Sequence, residues 1–204
     1  MKPYDLFNLI RKTKYSTVGN DVDYYIQVCE EEKIIRLLFE ETTSKRDWIN
    51  NFKFPIKPYK KQQNTLWVAR GWAKAYKSAN DVIMAEMIAE YRKHTNYKIE
   101  IAGWSYGGAM AILAAEDFYF RTNKKTELIT FGAPKPLFGK KTQKYVLSCC
   151  KEIKQYTHKS DIVSLCPPFF GYKHLNKINL GKFNFFNLFK PTKNHTCYGE
   201  VALY

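Results

Sequence analysis

No run of apolar residues in this 204-residue chain approaches the roughly 18 needed to span a bilayer as a helix. No internal repeat and no low-complexity linker divides it, so a single domain over 1–204 is expected. The opening stretch, MKPYDLFNLIRKTKY, lacks the uninterrupted apolar segment of a leader peptide, which makes a cytoplasmic protein the expectation. Zinc-like cysteine spacing is missing too. The five cysteines (Cys29, Cys149, Cys150, Cys166, Cys197) are an odd set with two adjacent members, a poor start for a disulfide framework, so reduced thiols are expected. Acid is scarce after the first quarter. Residues 1–50 hold 8 Lys/Arg against 9 Asp/Glu, and the remainder holds 25 against 10. The whole net charge of +14 therefore sits after residue 50. Such a field favours anionic partners, although a general richness in Lys, Asn, Ile, Tyr and Phe produces the same charge. No zinc finger or RNP-type motif accompanies it, so nucleic acid is not expected as a partner.

What is present reads as alternating strands and helices. Asp23 to Phe39 is expected to form two strands around the acidic turn Glu30-Glu31-Glu32. Segment 51–64, with Pro55 and Pro58, reads as loop. Trp67 to His94 is helical in pattern, with Ile83, Met87 and Tyr91 recurring at i, i+4. Tyr97 to Ala102 is a short strand, Tyr106 to Tyr119 a second helix rich in small residues, Glu127 to Phe131 a strand, and Ile153 to Thr157 another. The expectation is an α/β fold: a mixed, mainly parallel sheet with an antiparallel N-terminal edge.

Gly103-Trp104-Ser105-Tyr106-Gly107 is a G-x-S-x-G pentapeptide between an expected strand and an expected helix. A serine there sits on a tight turn that lifts its hydroxyl clear of the sheet. The glycines leave room for the neighbouring strand and helix. The helix N-terminus aims backbone N–H groups at the point where negative charge would develop. Gly108, Ala109 and Ala111 let that helix lie close to the sheet.

A nucleophilic serine needs a base, and the base needs an orienting acid. The chain has only four histidines: His94, His158, His174 and His195. Between residue 127 and His195 the only acids are Glu152 and Asp161. Asp161 follows an expected strand and His195 lies near the end of the chain. Composition and order leave the other pairings open.

The segment GWSYGGAMA resembles the elbow of the class 3 (fungal-type) lipases, usually written GHSLGGALA. Phe131-Gly132-Ala133-Pro134-Lys135-Pro136 is similar to that family's F-G-x-P-R. Asp161-Ile162-Val163, with Leu165, Pro167 and Pro168, resembles D-x-V-P-x-L-P-P. Gly171-Tyr172-Lys173-His174 resembles G-F/Y-x-H, and His195-Thr196-Cys197-Tyr198 resembles H-x-x-Y. Upstream, Asp47-Trp48 and Val68-Ala69-Arg70-Gly71-Trp72 are similar to the D-W and V-H-x-G-F landmarks. The resemblance implies an α/β-hydrolase fold with helices on both faces of the sheet, and hydrolysis of lipid esters of the triacylglycerol lipase or phospholipase A1 kind. It implies Ser105 as nucleophile, His195 as base and acid, Asp161 as orienting acid, and no metal or organic cofactor. It also implies an oxyanion hole from the amides of Thr42 and Tyr106.

The chain departs from the family where F-R-G-T or F-R-G-S is replaced by Phe39-Glu40-Glu41-Thr42. Two carboxylates near a developing oxyanion oppose it unless they point away or are paired. A catalytically silent relative that binds lipid or a protein partner is the alternative this departure supports. Between Trp48 and Gly71 no amphipathic lid helix is apparent, so an open site or one covered by a loop is expected. Phe52 to Lys61 and Phe183 to Lys190 mix aromatics with lysine, as expected of segments that hold an acyl chain or touch an anionic membrane surface.

Overall fold

The computed structural model describes residues 1–40, 56–60, 65–181 and 195–198, with only the backbone considered for 56–60. Nine strands are present among them: β1 (Ser16–Val18), β2 (Val22–Cys29), β3 (Ile34–Phe39), β4 (Ile56–Lys60), β5 (Thr65–Ala69), β6 (Lys98–Trp104), β7 (Thr126–Phe131), β8 (Cys150–His158) and β9 (Lys177–Leu180). The helices are α1 (Pro3–Lys12), α2 (Arg70–Lys93), α3 (Tyr106–Thr122), α4 (Lys140–Cys149) and the single turn α5 (Ile162–Leu165).

Seven strands form one sheet in the order β1-β2-β3-β6-β7-β8-β9. β1, β2 and β3 pair antiparallel, and from β3 to β9 every pairing is parallel. The mixed sheet with an antiparallel N-terminal edge is therefore as expected. The strand Ile34–Phe39 alternates between two buried faces. Ile35, Leu37 and Phe39 join the larger core with residues of α2 and α3, while Leu38 joins Ala102, Trp104, Phe131 and Tyr156 under α1. Helices thus cover both faces. Burial on both sides explains why β3 and β6 read as nearly continuous apolar runs.

Helix α3 is enclosed on all sides. Every residue from Gly107 to Phe118 is buried, including Glu116 and Asp117. A helix hydrophobic all round needs small residues to fit between sheet and neighbours, and Gly107, Gly108, Ala109, Ala111, Ala114 and Ala115 supply them. Asp117 accepts hydrogen bonds from Tyr76 of α2 (3.1 Å) and from Arg121 (3.1 Å), so its buried charge is neutralised.

Two expectations are corrected. Segment 51–64 is not all loop, because Ile56–Lys60 pairs antiparallel with Thr65–Ala69 in a separate two-stranded sheet. Trp67, Val68 and Ala69 accordingly belong to a strand, and α2 starts only at Arg70. Val68, read as helical, is with Leu66 one of the inward-facing alternate positions of that strand. Pro58 is tolerable there because its partner Trp67 turns its backbone N–H and C=O away from β4, to Thr142 Oγ1 (3.2 Å) and the Phe138 amide (2.8 Å), so no ladder bond is lost. The helices α1 and α4 and the strand β9 were not expected at all.

Candidate active site

Ser105 sits between the end of β6 and the start of α3 with φ 56° and ψ −125°, a conformation L-residues rarely adopt. Such backbone costs on the order of 1–3 kcal/mol and persists only where surrounding structure enforces it. Here the enforcement is visible. The Ser105 amide donates to Phe131 O of β7 (2.9 Å), and its carbonyl accepts from the Gly108 amide (3.0 Å). A Cβ at Gly103 would lie 2.3 Å from the Gly107 carbonyl oxygen, and one at Gly107 would lie 2.5 Å from the carbonyl oxygens of Phe39 and Glu40. Both glycines are thus set by close backbone approach.

Asp161 caps α5, its Oδ1 accepting from the Val163 amide (3.0 Å). Its Oδ2 accepts from His195 Nδ1 (2.9 Å) and from the Tyr198 hydroxyl (2.5 Å). The carboxylate is fully buried and His195 nearly so. With a carboxylate at Nδ1, that nitrogen carries the proton and Nε2 is left with a lone pair. His195 Nε2 and Ser105 Oγ are both buried, and among the described residues neither has a hydrogen-bond partner. Buried polar atoms are normally satisfied, and the exceptions need a reason.

The chain arranges three further residues around this group. Gly132, at φ 55°, has no room for a side chain: a Cβ would stand 2.9 Å from Asp161 Oδ2 and 3.0 Å from His195 Cε1. Trp104 Nε1 donates to the His195 carbonyl (3.1 Å), and its ring stacks on the imidazole at 5.5 Å with 29° between planes. Tyr198, wholly buried, accepts from the His158 amide (3.0 Å) while donating to Asp161. Burial, followed by the charge of Asp161, pushes its phenol well above the ordinary value, so it remains a donor.

The competing candidates lie elsewhere. His94 caps the C-terminus of α2, and Glu152 pairs with Lys154 (2.9 Å) on the outer part of β8. His158 Nδ1 accepts from the Ser160 amide (3.2 Å). His174 Nε2 lies 2.8 Å from Ser164 O in α5, and burial lowers its pKa to about 4. As a neutral ring it donates there and braces the turn that presents Asp161. Tyr106 opens α3, where its amide is among the N–H groups that have no intrahelical acceptor. Thr42 and Glu41 fall outside the described residues, as do Asp47, Trp48, the aromatic segment at 183–190 and half of 52–61. Glu40 is half-buried. Its charge and that of Asp23, after burial itself, raise the pKa of Tyr15. Its carboxylate thus acts toward the α1 side of the sheet. Among the described residues no cluster of His, Cys, Asp and Glu is placed to hold a metal, and all five cysteines are free.

Sequence reasoning overlooked Gly132, Trp104, Tyr198 and His174 as working parts, although each lies in a segment already singled out. Their signal was indirect: glycine and ring-bearing positions inside the same motif segments.

The family described as lipase (class 3) matches residues 37–171 of this chain. The chain belongs to the class 3 lipases. That match holds Ser105 and Asp161 and ends before His195, which the hydrogen bond to Asp161 brings in. Two similar curated proteins are fungal lipases. The lipase of Rhizomucor miehei is 29% identical over 168 residues, 78% of this chain and 45% of the relative. That of Rhizopus niveus is 29% identical over 170 residues, 79% of this chain and 42% of the relative. The chain therefore spans about half the length of these class 3 relatives. Among solved structures, the Rhizomucor miehei lipase–propeptide complex superimposes with a TM-score of 0.75 at 25% identity, covering 83% of this chain and 56% of that one. Lipase II from Rhizopus niveus gives 0.69 at 28% identity, covering 79% and 62%.

Proposed function

We propose that this class 3 lipase chain is a serine carboxylic-ester hydrolase acting on lipid esters, with Ser105, His195 and Asp161 as its triad. The observation that carries the reading is the Asp161–His195 bond of 2.9 Å, with Ser105 Oγ and His195 Nε2 both buried and without a partner among the described residues. His195 Nε2 takes the Ser105 proton as Oγ attacks the ester carbonyl. The tetrahedral anion is held by the Tyr106 amide at the positive end of α3, with Thr42 as the second donor. His195 then gives the proton to the departing alcohol. Water, deprotonated by the same nitrogen, attacks the acyl-enzyme, and collapse of the second anion frees the acid and restores Ser105. Asp161 fixes the Nδ1–H tautomer throughout, and Tyr198 with the Val163 amide satisfies its remaining acceptor capacity. The chemistry closes with water alone.

Acylglycerols and phospholipids both present the required ester. The basic charge favours a phospholipase A1-like action beside the triacylglycerol lipase action. The test is turnover of a soluble short-chain ester, a triacylglycerol and a phosphatidylglycerol by wild type, Ser105→Ala and His195→Ala. The reading expects hydrolysis of all three classes by wild type and a fall of about 10³-fold or more in kcat for either variant. A folded wild type inert on every ester favours the silent, lipid-binding relative instead.

A further inference from the structure

The turn after Asp161 ends in an exposure no core argument explains. Phe170 is 97% exposed and Phe169 56%, with Ile162 and Leu165 of α5 also open. Large apolar side chains grouped in this way mark a contact surface. Nor is this a loose loop. Cys166 O accepts from the Lys135 amide (2.8 Å), Gly171 O accepts from the Gly139 amide (3.0 Å) and from Gln143 Nε2 (3.0 Å), and the Phe138 ring packs against Gly171. The backbone on both sides of the phenylalanines is thus pinned, and their rings project from a fixed base.

Charge surrounds them. Segments 131–151 and 162–181, which build this surface, contain no Asp or Glu. Lys140 and Lys141, both exposed, open α4 immediately after the Gly139–Gly171 contact, and Lys173 is exposed just beyond the turn. The first turn of α4 carries no acid, and its N-cap is Gly139. Cations at a helix N-terminus oppose the dipole, so this placement is relieved when an anion sits there.

We propose that Phe169 and Phe170, with Lys140, Lys141 and Lys173 on the neighbouring segments, dock this face on an anionic phospholipid bilayer. The aromatic rings enter the acyl boundary and the lysines meet headgroup phosphates. The docked turn begins at Asp161, so the site is delivered to the surface where ester substrates lie. This last step rests on the hydrolase reading; the docking itself does not.

The experiment is co-sedimentation of the chain with phosphatidylcholine vesicles, with and without phosphatidylglycerol, at low and high salt. Compared are wild type, Phe169→Ser/Phe170→Ser and Lys140→Ala/Lys141→Ala, with soluble-ester turnover and melting temperature as controls. Wild type is expected to bind the phosphatidylglycerol vesicles, and salt to weaken that binding. The serine pair should lower affinity by about tenfold or more. The alanine pair should lose the preference for phosphatidylglycerol, and neither pair should change soluble-ester turnover. In Phe170→Trp, emission should shift to the blue on anionic vesicles. Wild-type-like binding by both variants, or binding with no shift in Phe170→Trp, places the contact elsewhere and overturns the proposal. So does a dimer that the serine pair dissolves while vesicles bind neither form. Docking through these residues without ester turnover would instead sink the hydrolase reading and leave the docking standing.

Discussion

At the scale of single residues, the site depends on groups beyond Ser105, Asp161 and His195. Trp104 is the clearest. It stacks on the His195 ring and bonds its backbone, so one side chain sets both the tilt and the height of the imidazole. Trp104→Phe keeps a ring but loses the hydrogen bond, about 1 kcal/mol in a typical case. We expect kcat for a soluble ester to fall roughly fivefold to tenfold with KM little changed. A rise in KM at constant kcat would place Trp104 in substrate binding instead. Ser105 stood out in the sequence because its G-x-S-x-G pentapeptide joins an expected strand to an expected helix. Asp161 and His195 were singled out only through the family resemblance, since residue type alone separates neither Asp161 from Glu152 nor His195 from His174. What separates them is environment. One ring faces a carboxylate, while the other faces a carbonyl, with burial as the main cause of its lowered pKa.

Elements explain the misses. The strands β2, β3, β6, β7 and β8 were found because their apolar runs are bounded by turns or glycines. Strand β5 was absorbed into the following helix because Trp67-Val68-Ala69 continues without a break into a helical pattern, and only its pairing with β4 reveals the switch. Helix α1 escaped notice because its apolar positions are few and lie in a short basic stretch. Yet it closes the second face of the sheet. Phe7 is fully buried and meets Trp104 at 5.7 Å, Phe131 at 5.2 Å and Tyr198 at 6.0 Å. The helix therefore packs on the residues that hold His195. Phe7→Ala should cost about 3–5 kcal/mol of stability, seen as a lowered midpoint in urea with an unchanged slope. A midpoint within error of wild type would show that α1 is not part of the cooperative core.

Across the whole molecule, stability and acidity are linked through His174. Its pKa is lowered to about 4 from an ordinary value of 6.5, chiefly by burial. The unfolded chain binds a proton below pH 6.5 that the folded chain refuses until about pH 4. Stability is therefore undiminished above pH 6.5, falls as pH drops through this window, and levels off below it, at about 1.4 kcal/mol per pH unit. His158 is shifted in the same direction by burial and adds to the slope. His174→Gln should flatten the acid limb of a plot of unfolding free energy against pH. An unaltered limb would assign the acid sensitivity to other groups.

The central claim is that this class 3 lipase chain carries an activated serine at position 105. A fluorophosphonate reports that directly, because it phosphonylates a serine only where a base and an anion-stabilising pocket act together. Intact mass should show one adduct on wild type, mapped to the peptide holding Ser105. Ser105→Ala should show none, and His195→Ala should react far more slowly. A folded wild type that takes up no label, or one that carries it on a different serine, would contradict the account.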